Sequence, residues 1–262
     1  MKKQQMFEGK KNFILDMDGT FYLGNRLLEG SLEFLDKLKE AGHDFLFFTN
    51  NSSQSPQVYI NKLKRMGCPI GSDKIITSGM VTTHYLKKHY GNPRVYLLGT
   101  PALEEQFIKD GINLVEDNPD LVVAGFDTTV TYEKLTKACT FIRNGAAFIA
   151  THPDFNCPTE DGFIPDCGAI CAFITASTGV TPKYLGKPYT ETLEFVLDHL
   201  NCTKDEVIFV GDRLYTDIAI GVNHGVTSIL VLSGETKLED VEKSDVKPDI
   251  IVDRLVDIVN YL

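Results

Sequence analysis

The chain has fewer positively than negatively charged residues, which argues against a non-specific nucleic-acid-binding protein. Among its 262 residues, 26 Lys and Arg stand against 36 Asp and Glu, for a formal net charge of −10. This balance argues against the broad basic face that non-specific nucleic-acid binding needs. It leaves open an anionic small-molecule ligand, because a few local cations or a metal ion can outweigh the distant field.

Long apolar runs and paired cysteine motifs are also absent. No stretch approaches the ~20 consecutive apolar residues of a transmembrane helix, and the N-terminal MKKQQMFEGKKNF lacks the apolar segment of a signal peptide. We therefore expect a cytoplasmic protein without a membrane or nucleic-acid partner. The six cysteines form no C-x-x-C pair. Buried free thiols are expected rather than a zinc site or a set of disulfides.

Short apolar runs alternate with amphipathic segments almost from end to end. The runs are NFILDM, DFLFFTN, RVYLLGT, LVVAGFD, AFIATHP, EVIFVGD, SILVLSG and DIIVD. Between them lie the helical patterns LEFLDKLKEAG, VYINKLKRMG, PALEEQFIKDG, TYEKLTKACTFIRNG, AICAFITASTG and TETLEFVLDHL. This alternation predicts an α/β fold with a doubly wound, mostly parallel sheet covered on both faces. The length allows one large domain or two of ordinary size.

Polar residues follow several of the apolar runs directly. In a sheet of this kind, ligands bind beyond the carboxyl ends of the strands. These positions are therefore the first place to look for a site, and they include Asp16, Thr49 and Asp212. Solvation alone also places polar residues at strand ends, so none of them defines a site by itself.

Four short motifs stand out together: DMDGT (16–20), TNNS (49–52), GKP (186–188) and GDRLYTD (211–217). Each alone has a structural explanation, since Asp-Gly and Gly-Asp form turns, Asn-Asn-Ser is typical of a loop or helix cap, and Lys-Pro opens a helix. Residues two apart on a strand share a face, so Asp16 and Asp18 would converge on one substrate. The four motifs in this order indicate one catalytic site.

In these motifs the chain resembles the haloacid dehalogenase superfamily of phosphohydrolases, and within it the NagD-like, p-nitrophenylphosphatase-type group. The resemblance covers essentially the whole chain, including IPDCGAICAFITASTG before GKP. It implies a Rossmann-like core sheet formed by residues 1–79 and 183–262, with an inserted α/β cap domain of residues 80–182. It also implies a Mg²⁺-dependent phosphomonoesterase acting on small phosphorylated metabolites, such as a sugar phosphate or a nucleoside monophosphate. Related proteins often pair through their caps, so a homo-oligomer formed in this way is an open expectation.

The resemblance further assigns roles to the acidic residues. Asp16 would be the nucleophile that forms an aspartyl-phosphate, and Asp18 would protonate the leaving oxygen and later deprotonate water. The dehalogenases of the superfamily lack this second acid, so Asp18 favours phosphate chemistry. The implied Mg²⁺ ligands are Asp16, the main-chain carbonyl of Asp18, and Asp212, an all-oxygen set that suits this ion. Asp217 would support the metal waters or orient a neighbour, with a purely structural role as the alternative.

A carboxylate that approaches a phosphate meets like-charge repulsion, so positive and donor groups are expected as well. Lys187 would place a fixed positive charge at the phosphoryl oxygens and Asp16. Thr49, Asn50 and Asn51 would provide side-chain and backbone donors, helped by the N-terminus of the following helix. For Asn51 a structural role in the loop is the alternative.

Three further residues, His152, Asp154 and Asp166, are candidates for touching the substrate from the cap, although such residues at strand ends are often only solvated. If Asp166 faces the site, its charge would disfavour a second phosphate on the substrate. Two other functions stay open at this point. One is a phosphotransferase that passes the phosphoryl group to another hydroxyl, and the other is a non-catalytic sensor of phosphorylated metabolites.

Overall fold

The computed structural model describes residues 6–159 and 162–262, so residues 1–5 of the N-terminal segment considered above lie outside it. The chain divides into two compact units. The first unit contains Met1–Thr49, Tyr59–Ile76 and Leu193–Leu262, and the second contains Asn50–Val58 and Thr77–Thr192. The core and cap boundaries given above stay a prediction.

A six-stranded sheet forms the centre of the first unit, in the order β15-β14-β13-β1-β4-β5. Its strands are β1 (Asn12–Leu15), β4 (Asp44–Thr49), β5 (Ile75–Thr77), β13 (Val207–Gly211), β14 (Thr227–Val231) and β15 (Ile250–Val252). Strand β1 pairs in parallel with β4 on one side and β13 on the other. The chain order of the strands therefore reverses at β1, and the crevice at this switch point is where open α/β sheets bind ligands. A short antiparallel hairpin, β2 (Tyr22–Leu23) and β3 (Arg26–Leu27), follows β1.

The α-helices that the structure describes lie between the strands, and six of them contain the amphipathic segments that the sequence predicts. The α-helices are α1 (Ser31–Glu40), α2 (Pro56–Arg65), α3 (Ser78–Tyr90), α4 (Pro101–Lys109), α5 (Tyr132–Arg143), α6 (Cys167–Thr178), α7 (Thr190–Leu200), α8 (Ala219–His224) and α9 (Leu238–Lys243). In α4 the sequence sets both ends, because Thr100 caps the first turn, Pro101 follows it, and Gly111 takes a positive φ of 76° just past the end. None of the described helices is long and apolar enough to cross a membrane.

The second unit has a five-stranded parallel sheet of its own, in the order β12-β9-β8-β6-β7. Its strands are β6 (Arg94–Leu98), β7 (Asn113–Leu114), β8 (Leu121–Ala124), β9 (Ala147–Ala150) and β12 (Lys183–Tyr184). Strand β8 is buried along its whole length, which is why its sequence is a continuous apolar run. An antiparallel hairpin, β10 (Asn156–Thr159) and β11 (Gly162–Pro165), lies between β9 and α6.

The predicted α/β class with mostly parallel sheets is confirmed, and each of the eight apolar runs contains a strand. The sequence did not predict the short strands β2, β3, β5, β7 and β12, the β10–β11 hairpin, or the helices α3, α8 and α9. All six cysteines are free, four of them buried.

Substitution of Phe34 by Ala tests the packing of α1 on the first sheet. The Phe34 side chain is fully buried and its ring meets that of Phe13 edge-on at 6.1 Å. We expect Phe34→Ala to lower the free energy of unfolding by about 3–5 kcal/mol in urea denaturation. Leu32 on the same helix is 39% exposed, so Leu32→Ala is the control and should cost less than about 1 kcal/mol. Equal losses in the two variants would contradict this packing.

Candidate active site

The parallel pairing of β1 with β13 brings two predicted acids to the same edge of the first sheet. Leu15 is in register with Val210, and the Asp16 backbone N–H donates to the Val210 carbonyl at 2.9 Å. Asp16 follows the end of β1, and Asp212 follows the end of β13. The switch point of the sheet is therefore lined by carboxylates.

Asp16, Asp212 and Asp217 form a compact carboxylate cluster. One oxygen from each residue lies within 4.8 Å of the others, and Asp212 and Asp217 are each only 2% exposed. Burial, followed by the neighbouring Asp217, raises the pKa of Asp212 to about 6. Buried like charges at this distance repel one another, so the cluster is suited to a cation.

Close backbone contacts and donors hold the Asp212 carboxylate in place. Gly19 has a positive φ of 85°, and a Cβ at Gly19 or Gly234 would overlap the Asp212 side chain, so only glycine fits at these two positions. The Glu235 backbone N–H donates to Asp212 Oδ2 at 2.7 Å, and the Thr20 hydroxyl donates to Oδ1 at 3.3 Å. The orientation of Asp212 is thus fixed from several sides.

Asp217 belongs to the same cluster, on a π-helical turn over Leu214–Ile218. Its Oδ2 accepts a hydrogen bond from the Arg213 backbone N–H at 3.1 Å. The structure therefore places Asp217 next to the predicted ligands, and its role toward a metal stays a prediction.

Asp18 is half-buried and lies in a different environment from Asp16. Strand β1 ends at Leu15, so the two acids lie beyond the strand, where strand alternation does not set their directions. The Tyr22 hydroxyl donates to Asp18 Oδ2 at 3.2 Å. Burial raises the pKa of Asp18 above its ordinary value, although Lys62, Tyr22 and Arg213 act in the opposite direction. A carboxyl that keeps its proton more readily is suited to act as an acid.

Thr49 is the last residue of β4 and is 6% exposed. It thus follows the strand next to β1, as the sequence predicts.

In the second unit, the Asn50 side chain holds the backbone of Lys187. Asn50 Oδ1 accepts from the Lys187 backbone N–H at 2.8 Å, and Nδ2 donates to the Lys187 carbonyl at 3.0 Å. The same Nδ2 lies 3.3 Å from Asp154 Oδ2. Asn50, Asp154 and Lys187 are all buried, so three of the predicted site residues form one hydrogen-bonded group.

The Asn51 side chain is used within its own loop. Its Oδ1 accepts from the Ser53 backbone N–H at 2.9 Å and from the Ser53 hydroxyl at 2.8 Å. This is the turn geometry typical of asparagine, and it supports the structural alternative for the side-chain oxygen.

His152 and Asp166 form a buried pair in the second unit. His152 Nε2 lies 2.8 Å from Asp166 Oδ1, and the two residues are 0% and 4% exposed. On the other side of the ring, Nδ1 lies 2.9 Å from the Thr151 hydroxyl and 3.4 Å from the Ser78 hydroxyl. Burial alone would lower the pKa of His152, but Asp166, with smaller contributions from Cys167 and Asp154, raises it to about 9.

The His152–Asp166 pair changes one expectation drawn from the sequence. Because the charge of Asp166 is compensated by His152, repulsion of a second substrate phosphate by Asp166 loses its physical basis. The ligand-type atoms of His152, Asp154 and Asp166 also lie within 4.8 Å of one another. All three already have hydrogen-bond partners in the protein, and a contact of these residues with substrate stays a prediction.

Sequence reasoning assigned no role to three residues that position these groups, Tyr22, Ser78 and Thr151. Tyr22 contacts Asp18, and Ser78 and Thr151 contact His152. Two of them carry a sequence signal, because Tyr22 comes just after DMDGT and Thr151 precedes His152 at the end of an apolar run.

Two family models match the chain. Residues 13–113 match the haloacid dehalogenase-like hydrolase model, and residues 184–258 match the HAD-hydrolase-like model. The 5′-nucleotidase YutF of Bacillus subtilis is 35% identical over 252 residues, 96% of this chain and 98% of that protein. The acid sugar phosphatase of Staphylococcus haemolyticus is 38% identical over 239 residues, 91% of each chain. The crystal structure of 4-nitrophenylphosphatase from Thermotoga maritima has a TM-score of 0.94 at 48% identity and covers 97% of this chain and 98% of that one.

The His152–Asp166 pair predicts a pH dependence of stability. The folded-state pKa of about 9 lies above the ordinary histidine pKa of 6.5, so the stabilising contribution of the pair is complete below about pH 6.5 and is lost as pH rises through about 9. The shift corresponds to about 3 kcal/mol. We expect urea unfolding to show a loss of this size between pH 6.5 and 9.5, and His152→Gln to remove this pH dependence.

His199→Gln, at an exposed histidine, is the control and should keep the wild-type pH dependence. An NMR titration of wild-type protein provides an independent measurement, since the His152 ring should still carry both protons at pH 8. A neutral ring at that pH would contradict the pairing.

Proposed function

The chain belongs to the haloacid dehalogenase-like hydrolases and is a NagD-like phosphatase, and from this membership we propose that it hydrolyses phosphomonoesters with Mg²⁺ through an aspartyl-phosphate on Asp16. The observation that carries the proposal is the cluster of Asp16, Asp212 and Asp217 at the switch point of the first sheet. The sequence motifs and the position of the acids after β1 and β13 support the same assignment.

The donor set of the carboxylate cluster fits a divalent cation. All three donors are carboxylate oxygens within 4.8 Å of one another, and oxygen ligands are those that Mg²⁺ prefers. Asp16, Asp212 and the main-chain carbonyl of Asp18 would hold the ion, with Asp217 beside them. When bound, Mg²⁺ would offset most of the negative charge of the cluster and so lower the repulsion of an approaching phosphate dianion.

The proposed reaction has two displacement steps at phosphorus. In the first, an Asp16 oxygen attacks phosphorus, the bond to the ester oxygen breaks, and Asp18 transfers its proton to that oxygen. In the second, water attacks phosphorus, the bond to Asp16 breaks, and Asp18 takes a proton from the water. Asp18 thus ends each cycle protonated, and its raised pKa supports this role.

The phosphoryl oxygens are assigned to residues named by the sequence motifs. Lys187, Thr49, Asn50 and Asn51 are proposed to bind them through the ammonium, hydroxyl, amide and backbone donors. The hydrogen bonds from Asn50 to the Lys187 backbone support the idea that these two residues act together.

The substrate class is proposed from the relatives. One is named as a 5′-nucleotidase and another as an acid sugar phosphatase. We propose that this chain acts on a sugar phosphate or a nucleoside monophosphate, and p-nitrophenyl phosphate is a suitable first probe.

Asp16→Asn tests the nucleophile. Loss of the attacking carboxylate should lower kcat for p-nitrophenyl phosphate by about 10⁴-fold or more, because no aspartyl-phosphate can form. In wild type, rapid quenching of a reaction with ³²P-labelled ester should place the label on Asp16.

Asp36→Asn, at an exposed acid on α1, is the matched control and should leave turnover unchanged. Turnover by wild type with no label on Asp16 would contradict the mechanism. Release of nitrophenol in excess of phosphate when glycerol is added would instead favour the phosphotransferase alternative. Tight ester binding with no turnover would favour the sensor.

Asp212→Asn tests the cation site through stability as well as activity. Removal of one charge from the cluster should leave the metal-free protein as stable as wild type or more so. Mg²⁺ at about 100 times its Kd should stabilise wild type by about 2.7 kcal/mol and Asp212→Asn much less, measured by thermal unfolding with EDTA or Mg²⁺. The exposed Asp205 provides the control Asp205→Asn. An unchanged Mg²⁺ response in Asp212→Asn would remove Asp212 from the ligands.

A further inference from the structure

Buried hydroxyl groups of the second unit hold the loop of residues 50–53, which we call the Asn50 loop. The Ser78 hydroxyl donates to the Asn50 carbonyl. Two residues further along the loop, the Ser52 hydroxyl lies 2.9 Å from the Thr151 hydroxyl. Ser52, Ser78 and Thr151 are all 0% exposed. Because these groups are closed to bulk water, the position of the loop depends on hydrogen bonds within the protein.

The His152 side chain contacts two of these hydroxyls. Its Nδ1 lies 2.9 Å from the Thr151 hydroxyl and 3.4 Å from the Ser78 hydroxyl, and its Nε2 faces Asp166 Oδ1 at 2.8 Å. A Cβ added at Gly186, which has a positive φ of 74°, would lie only 2.9 Å from the His152 Cβ. His152 therefore lies between the Asn50 loop and the GKP turn, the two segments of the second unit that contain predicted phosphate-binding residues.

The hydrogen bonds of Ser78 and Asp166 indicate a protonated His152 ring. A hydroxyl has one proton to donate, and Ser78 gives it to the Asn50 carbonyl, which can only accept. Ser78 Oγ therefore meets His152 Nδ1 as an acceptor, so Nδ1 carries a proton. Nε2 faces Asp166 Oδ1, which also accepts from the Cys167 backbone N–H, as an ionised carboxylate does. Both ring nitrogens are thus donors, and the ring is an imidazolium.

The other hydroxyls extend these directed hydrogen bonds from the ring to the loop. The Phe126 backbone N–H donates to Ser52 Oγ at 2.9 Å, which leaves the Ser52 proton for the Thr151 hydroxyl. Thr151 donates to Cys167 Sγ at 3.7 Å. Its oxygen therefore accepts from both Ser52 and His152. Each hydroxyl between the ring and the loop has a single donor direction when the ring is charged.

A neutral ring would disturb this arrangement. Without its proton, His152 Nδ1 would face Ser78 Oγ with a lone pair at 3.4 Å, or would draw the Ser78 proton away from the Asn50 carbonyl. Helix α3 and the GKP turn meet His152 through groups that do not titrate, the Ser78 hydroxyl and the Gly186 backbone. Against burial, the pKa of the ring is raised by acidic groups from two elements, which are Asp166 and Cys167 at the start of α6 and Asp154 after β9.

We propose that His152, paired with Asp166, is a positioning residue that fixes the Asn50 loop for phosphate binding. It acts through the hydroxyls of Ser78 and Thr151 and touches no reacting atom. The proposal rests on the proposed function, in which this loop binds the phosphoryl oxygens. Loss of the ring proton should weaken phosphate binding and leave the proposed nucleophile and general acid in place.

Two double variants, His152→Asn/Asp166→Asn and His152→Leu/Asp166→Asn, test the proposal. Asn and Leu have nearly the same size and shape, but only Asn can donate a hydrogen bond in place of Nδ1. The change at position 166 removes a carboxylate that would lose its partner, and asparagine still caps a helix. At pH 7.5 the Leu variant should show a KM for p-nitrophenyl phosphate at least about tenfold above wild type, with a smaller change in kcat. The Asn variant should stay within about threefold.

The pH profile of KM separates positioning from a general loss of stability. As pH rises from 7.5 to 9.5, through the ring pKa of about 9, the wild-type KM should rise about threefold, because p-nitrophenyl phosphate stays dianionic over this range. The Asn variant should lack this rise, and His199→Gln, at an exposed histidine, should keep it. Equal KM values in the Asn and Leu variants, or the same rise in the Asn variant, would overturn the proposal.

Binding of inorganic phosphate to Asp16→Asn protein distinguishes this proposal from the proposed function, because it needs no turnover. In calorimetry at pH 8 with Mg²⁺, the added His152→Leu/Asp166→Asn changes should raise the Kd at least about tenfold, even if wild type hydrolyses no ester. Asn50→Ala in the same background should also weaken binding. Weaker binding in Asn50→Ala but not in the Leu variant would overturn this proposal alone. Unchanged binding in Asn50→Ala would overturn the assigned role of the loop and this proposal with it.

Discussion

Repulsion among three carboxylates is the constraint on which the candidate site depends. With their oxygens at most 4.8 Å apart, each pair of ionised groups repels by at least about 3 kcal/mol at an effective dielectric constant of about 20. Burial, with a smaller contribution from repulsion by Asp217, raises the pKa of Asp212 to about 6. Parallel pairing of β1 with β13 imposes the proximity, and the glycine backbones around Asp212 prevent it from turning away. A cation relieves the repulsion, so the geometry is more consistent with a metal site than with a structural one.

The second unit contains the same residue types in an arrangement that compensates itself. Asp166 faces the imidazole of His152, and Asp154 faces the amide of Asn50. Each negative group therefore has a positive or donor partner from the protein. This contrast explains why acidic residues at strand ends have different physical roles in the two units. The two units differ in the charge of the side chains that face these acids. The position of an acid at a strand end does not show which side chain will face it.

Much of the fold could be predicted because each long strand is a continuous apolar run, as expected for strands buried on both faces. The elements that were missed lack this signal. Strand β5 has three residues, β10 and β11 each contain a proline and no buried residue, and α3 mixes Thr, His and Tyr without a clear apolar stripe. In the candidate site, the acidic residues could be found from the sequence because their motifs occur in a characteristic order and follow the predicted strands directly. The pairing of His152 with Asp166 and the contact of Tyr22 with Asp18 depend on tertiary approach, so no local pattern announces them.

The central position of β1 has a consequence for biosynthesis. Its partner β4 is synthesised soon after it, but the register of Asn12 with Val207 means that its other neighbour appears about 195 residues later. At ribosomal speeds this delay is roughly ten to forty seconds. During that interval one edge of an apolar strand has no native partner, and such edges favour association between chains. Protection of the nascent chain by chaperones during this interval would therefore affect the yield of folded protein.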